Sequence, residues 1–186
     1  MDLSTVLPYV KPALDPSAPR GNPVGLHDGG VPVSRPFVGS LLTTYVVDEG
    51  DWFRYVTDTD MRAVGHSVEQ LHGHAVENFA RFATGRLDMP RYGAITPVLL
   101  DGNLEVSVMF LDDVWEWCAA EFGTAEIVAV APCREVLAFC PASSVDGRAE
   151  LEELIERVWC SADHPLTKDF YRRAGRTWVL DSGSTA

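Results

Sequence analysis

The sequence predicts an α+β domain: a largely antiparallel sheet built from hairpins, with helices packed on one face. Three observations predict it. Short stretches dense in β-branched and aromatic residues recur along the chain. They come in adjacent pairs and not in alternation with helices, so no βαβ repeat is present. Between them lie segments with apolar residues at three- and four-residue spacing behind recognisable caps. The expected order is β-β-α-α-β-β-α-β-β-α-(α)-β. The only internal likeness is architectural, between the hairpin–helix units 95–122 and 126–160.

Each element has its own reason. Residues 1–35 carry Pro8, Pro12, Pro16, Pro19, Pro23 and Pro32, with Gly21, Gly25, Gly29 and Gly30, and read as an irregular arm over a single domain at 36–180. Ser4 offers a cap for one short helical turn. PFVGSLLTTYVVD, 36–48, is apolar on both faces and reads as a central strand. The acidic turn 48–51 leads to a short strand, 52–56. Thr57 or Asp58 starts a short helix ending near Gly65. Ser67-Val68-Glu69-Gln70 is a capping box, and Val68, Leu71, Ala75, Phe79 and Phe82 mark the buried stripe of the helix it opens, which Gly85 stops.

Asp101-Gly102 centres a predicted hairpin at 95–110. Asp112 or Asp113 caps a helix over about 113–122. Residues 126–140 form a hairpin around Pro132-Cys133-Arg134, and 148–160 a strongly amphipathic helix with Leu151, Leu154, Ile155 and Val158 inward. A short helix at 164–173, a strand at 176–180 and a frayed tail at 181–186 complete the chain.

The bulk numbers bound the function. At 186 residues the chain buries a sizeable core without metal or disulfide. Its net charge is −12 and its pI about 4.7. The largest basic cluster is Arg172-Arg173, so nucleic acid and anionic membranes are discounted as partners. Thirteen of the fifteen basic residues are arginine, leaving only Lys11 and Lys168 as lysines. Met1-Asp2-Leu3-Ser4 has neither a basic start nor an apolar run, and no apolar stretch approaches ~20 residues. Cys118, Cys133, Cys140 and Cys160 form no Cys-x-x-Cys pair, and a cytoplasmic setting with reduced thiols is expected. No cofactor and no metal is expected.

Few residues carry chemistry. HSVEQLHGHAVENF, 66–79, holds His66, His72 and His74. A helix chelates a metal through histidines four apart, whereas His72 and His74 are two apart and diverge by roughly 160–200°. His72 sits beside the apolar stripe, either as a half-buried histidine bonded to a neighbour or as a general acid–base; His74 faces solvent. Asp48, Glu49, Asp51, Asp58 and Asp60 cluster around the first two strands, where turns and N-caps explain them better than a cation site. Cys133, beside Arg134, is either a nucleophile with a lowered pKa or an ordinary loop thiol. Arg35, Arg54 and Arg134 either converge on an anion or pair internally with acids. Trp52 and Trp178 are candidate surface anchors for a partner among five tryptophans. No Gly-x-Ser-x-Gly, Walker, Gly-x-Gly-x-x-Gly or His-Glu-x-x-His motif occurs.

Tyr45-Val46-Val47-Asp48, Arg54-Tyr55-Val56-Thr57, Ser67, Leu71-His72 and Glu77-Asn78 together resemble the bacterial YtpQ-like family, a domain of unknown function. Leu111-Asp112-Asp113-Val114-Trp115 and Ala131-Pro132-Cys133-Arg134 extend the resemblance over about 35–175. It implies a cytosolic α+β domain, names no reaction, and points to Arg54, Tyr55, His72, Asp112 and Arg134. Two functions follow as expectations. The first is an acidic binding protein that docks a protein partner, an immunity-type role included. The second is a small-molecule enzyme of bacterial secondary metabolism with a pocket around Arg54, Tyr55 and His72. A homo-oligomer is compatible with either.

Overall fold

Hairpins build two antiparallel sheets where one was expected. The computed structural model describes residues 2–13 and 30–183. The first sheet contains β1 (Val6–Pro12), β2 (Ser34–Pro36), β3 (Leu41–Asp48) and β4 (Phe53–Tyr55). β3 is central: β1 pairs along one side, and β2 and β4 follow one another along the other. The second sheet contains β5 (Thr96–Val98), β6 (Ile127–Cys133), β7 (Val136–Pro141), β8 (Phe170–Ala174) and β9 (Thr177–Leu180), in the order β5-β7-β6-β8-β9. The helices are α1 (Asp58–Val64), α2 (Val68–Ala83), α3 (Asp112–Phe122) and α4 (Val145–Trp159). The fold is α+β, as the hairpin pattern predicts.

Strand alternation decides the layering. Ile127, Ala129 and Ala131 of β6 enter a main core with Leu7 and Val46 of the first sheet. Val128 and Val130 point the other way, onto Leu151 and Ile155 of α4. In the first sheet, Val6 and Tyr45 face Leu71 and Ala75 of α2. Each sheet thus carries helices on one face and turns the other toward a shared core. Phe79 and Ala83, further along α2, reach that core as well.

Several expectations need correction. Residues 6–12 are a strand and not irregular arm. Pro8 and Pro12 argued against a strand, yet proline is tolerated at a sheet edge. β1 is such an edge, and both prolines share one parity. Val6 and Pro8, of that parity, turn their carbonyls outward: Asn78 Nδ2 donates to Val6 O (2.9 Å) and Ser107 Oγ to Pro8 O (2.8 Å). The missing proline N–H groups therefore fall where no strand needs them. The rest of the arm, 14–29, and the end of the tail, 184–186, lie outside the described residues. The strand expected at 36–48 is a hairpin, in which Phe37–Ser40 turn at Gly39 (φ 56°).

The hairpin expected at 95–110 does not form. The Glu105 carboxylate accepts from the N–H groups of Leu100, Asp101 and Gly102 (3.2, 3.1 and 2.6 Å). Those donors are taken, and the chain continues as a 3-10 helix, Glu105–Phe110, while β5 pairs with β7. The helix expected at 164–173 gives way to β8, because Leu166 N–H donates to Pro132 O and leads the chain alongside β6. At α3 the N-cap is Leu111, with no side-chain cap, and Asp112 and Asp113 lie in the first turn. The capping boxes of α1 and α2 form, at Thr57 with Asp60 and at Ser67 with Gln70.

Asn78 ties α2 to backbone carbonyls at the start of the chain that β3 leaves unpaired, donating to Leu3 O (2.7 Å) and Val6 O, and accepting from Arg81. Asn78→Ala leaves buried carbonyls without donors and is expected to cost about 1–3 kcal/mol. Urea denaturation of the variant checks this, and a loss of a few tenths would show that water replaces the amide.

Candidate functional site

Two of the predicted site residues come together where the two sheets meet. β1 supplies Val10, Lys11 and Pro12, β3 supplies Leu42 and Thr44, and β4 supplies Tyr55. The β6–β7 turn brings Arg134, and the loop before β8 brings His164, Pro165 and Leu166. Val31 and Pro32 close the ring around a cleft of about 540 Å³. The loop is held in place by Arg134 N–H to His164 O (3.3 Å) and Leu166 N–H to Pro132 O (2.9 Å). The walls are chiefly aliphatic and proline, which is the usual make-up of a small-molecule pocket with few polar groups.

Those few polar groups are specific. Arg134 donates from Nη1 to the Tyr9 hydroxyl (2.8 Å) and from Nε to Glu135. The Tyr9 ring meets Phe53 and Tyr55 edge-on, at 5.6 and 6.3 Å between centroids. The Lys11 ammonium lies over the Tyr9 ring at 5.1 Å and the Tyr55 ring at 6.0 Å. Among the described residues no carboxylate lies within ion-pair distance of Lys11. Burial, helped by the neighbouring Arg134 charge, lowers the Lys11 pKa. Burial also pushes the Tyr55 hydroxyl up to about 12, so it remains a proton donor at neutral pH.

Cys133 is 4% exposed at the end of β6, a setting that suits the ordinary thiol better than the nucleophile. Burial first, then hydrogen bonding to Glu135, pushes its thiol up to about 11. Arg134 turns away to Tyr9 and Glu135 and supplies no activation. Burial alone would raise the Glu135 carboxyl, but hydrogen bonds from the Cys133 thiol and Arg134 outweigh it and hold the group below its ordinary value.

The other candidates are placed elsewhere. Arg54 pairs with Glu49 (3.0 Å) and Asp60 (3.3 Å), and its strand neighbour Tyr55 points to the opposite face. His72 is half-buried, its Nδ1 3.3 Å from the Tyr45 hydroxyl and its ring against Phe110. Burial, then the nearby Arg35 charge, lowers the His72 pKa and favours the neutral ring. Arg54, Tyr55 and His72 thus keep three separate sets of neighbours. His72 instead lines a smaller cavity of about 260 Å³ with Arg35, Asp112 and Arg176. There Asp112 is engaged by the buried Arg173 and, at 3.9 Å, by Arg176. The three arginines do not converge: Arg35 borders the His72 cavity, while Arg54 and Arg134 pair with acids.

His74 is exposed, and its ring faces His66 at 5.9 Å. The acidic group at 48–60 does structural work. Asp48 accepts from Gly50 N–H, Asp58 from Val31 N–H, and Asp60 from Thr57 N–H. Among the described residues no three His, Cys, Asp or Glu side chains are grouped to hold a metal ion. Trp178 is not a surface anchor. It is 6% exposed, donates its indole N–H to Met109 O (3.0 Å) and packs edge-on to Trp115. Trp52 is exposed on the β3–β4 turn.

Sequence reasoning missed Lys11, Tyr9 and His164, because their segments were read as arm and helix. A signal for Lys11 existed: it is one of two lysines against thirteen arginines. No family model, curated protein or solved structure matches the chain.

Proposed function

We propose that this protein binds a small, largely apolar molecule in the cleft between Tyr55 and Arg134. The observation that supports the reading is the cleft itself, with about 540 Å³ of space, aliphatic and proline walls and a few polar groups gathered at Lys11, Tyr55, Arg134 and His164. Binding is favoured over catalysis there, since the neighbouring Cys133 thiol is protonated and the tyrosine hydroxyls hold their protons. The four cysteines are free thiols, which supports a reducing, cytoplasmic setting. Among the described residues no helix is long and apolar enough to cross a membrane.

Native mass spectrometry of gently purified protein is expected to show a bound small molecule. Leu42→Trp fills the cleft from β3 without removing a hydrogen bond, and that variant is expected to purify bare. A wild-type chain that is bare and takes up no medium-chain alcohol would count against the reading.

A protein-docking role, immunity-type included, draws on a different observation. Trp117 and Tyr92 are 55% and 71% exposed, and the net charge of −12 suits a basic partner. A partner whose affinity survived Trp117→Ser and Tyr92→Ser together would remove that support.

A further inference from the structure

The polar end of the cleft has an electrostatic character opposite to that of the protein as a whole. Lys11 and Arg134 both reach it, and both touch Tyr9: the ammonium over its ring, the guanidinium on its hydroxyl. Glu135 pairs with Arg134 and offsets one of the two positive charges. His164 approaches the same carboxylate at 3.4 Å. Among the described residues one positive charge is left over, carried on an ammonium that rests on aromatic faces and has no carboxylate within ion-pair distance. This happens in a chain whose net charge is −12. Screening limits the distant acids to a Debye length of about 8 Å at physiological salt, so the nearby cations decide what the cleft accepts.

We propose that the cleft selects a monoanion: an apolar molecule carrying one acid group, a carboxylate by chemistry, seated between Lys11 and Arg134 with its body along Val10, Leu42, Pro165 and Leu166. This rests on the binding reading above and adds the class of ligand. A neutral molecule would leave the Lys11 charge uncompensated in an apolar site. A cation would place a further positive charge beside Lys11 and Arg134. A carboxylate accepts from both cations and from the Tyr55 hydroxyl, and charge-assisted bonds of this type are about twice as strong as neutral ones. Burial and Arg134 depress the Lys11 pKa, and an anion beside it would oppose that effect.

The test is calorimetry on the full chain with three probes of equal length: octanoate, 1-octanol and octylamine. Octanoate is expected to bind at least tenfold more tightly than octanol, and octylamine more weakly than both. Lys11→Met should bring octanoate to the affinity of octanol and leave octanol unchanged, while Lys11→Arg keeps the preference. The Arg variant and the unchanged octanol affinity show that the fold survives. Octanol or octylamine binding as tightly as octanoate overturns the acid-group proposal and leaves the cleft reading standing. If none of the three binds, or if Leu42→Trp leaves all three affinities unaltered, the cleft reading falls too.

Discussion

Trp115→Ala is expected to lower the free energy of unfolding by about 3–5 kcal/mol, the cost typical of removing a large buried aromatic. That is a large share of the ~5–15 kcal/mol available to a protein of this kind. Trp115 is 1% exposed and stands where α3 meets the second sheet. Its ring meets Phe139 of β7 edge-on at 5.0 Å and Trp178 of β9 at 4.8 Å. Its indole N–H donates to Val108 O (2.9 Å), at the end of the 3-10 helix. One side chain thus joins α3, strands β7 and β9 of the second sheet and the segment that covers the edge of β1. Trp115→Phe keeps a ring and loses the donor, and it is expected to cost less, about 1–3 kcal/mol. Urea denaturation with an unchanged dependence on denaturant concentration reads both values. A loss below about 1 kcal/mol for the alanine variant would contradict the packing described.

The same cluster shows which parts of the fold were legible in the sequence. Trp115 and Cys118 recur at helical spacing, and Gly123 closes the helix, so α3 could be read directly. The alternation of β6 and the Ser67 capping box carry comparably local signals. What escaped depended on partners far along the chain. β1 contains two prolines, and only the placement of its edge against Asn78 and Ser107 makes them tolerable. Asp101-Gly102 does turn, with Gly102 at φ 82°, but the Glu105 carboxylate then captures the N–H groups that a returning strand would need. HPLTKDFYRR, 164–173, was read as helix, but Phe170–Ala174 is a strand, and pairing with β6 decided the matter.

The candidate site divides along the same line. Tyr55 and Arg134 were legible as polar groups on or beside strands. Their meeting was not, because it requires the first sheet to pack beside the β6–β7 turn. Lys11 and Tyr9 followed β1 into the part read as arm. Grouping Arg54, Tyr55 and His72 assumed that sequence neighbours share a pocket. Successive strand residues point to opposite faces, so Arg54 and Tyr55 part, and His72 belongs with Tyr45 behind the sheet.

Asp112→Ala is expected to destabilise the fold by roughly 3 kcal/mol, near the lower end for breaking a buried ion pair. Asp112 was a candidate for chemistry, and its surroundings give it another task. Arg173, on β8, is 5% exposed and lies over the Trp178 ring at 5.6 Å. Its guanidinium donates to the Asp112 carboxylate at the start of α3. Removing the carboxylate leaves a buried positive charge without its partner, and the nearby Glu116 carboxylate is already engaged by Arg176 (2.7 Å). The lower end applies because Asp112 is itself partly open to water, which screens this half-buried pair more than a fully buried one. Asp112→Asn keeps an acceptor and loses the charge, so its cost should fall between the two. The decisive comparison is the double variant Asp112→Ala with Arg173→Met. If the pair is structural, removing both charges restores part of the stability that the single change loses, giving a coupling energy in the cycle. A single variant that stays within about 0.5 kcal/mol of wild type would mean that water satisfies Arg173, and Asp112 would return, with His72, to the residues whose chemistry is still to be explained.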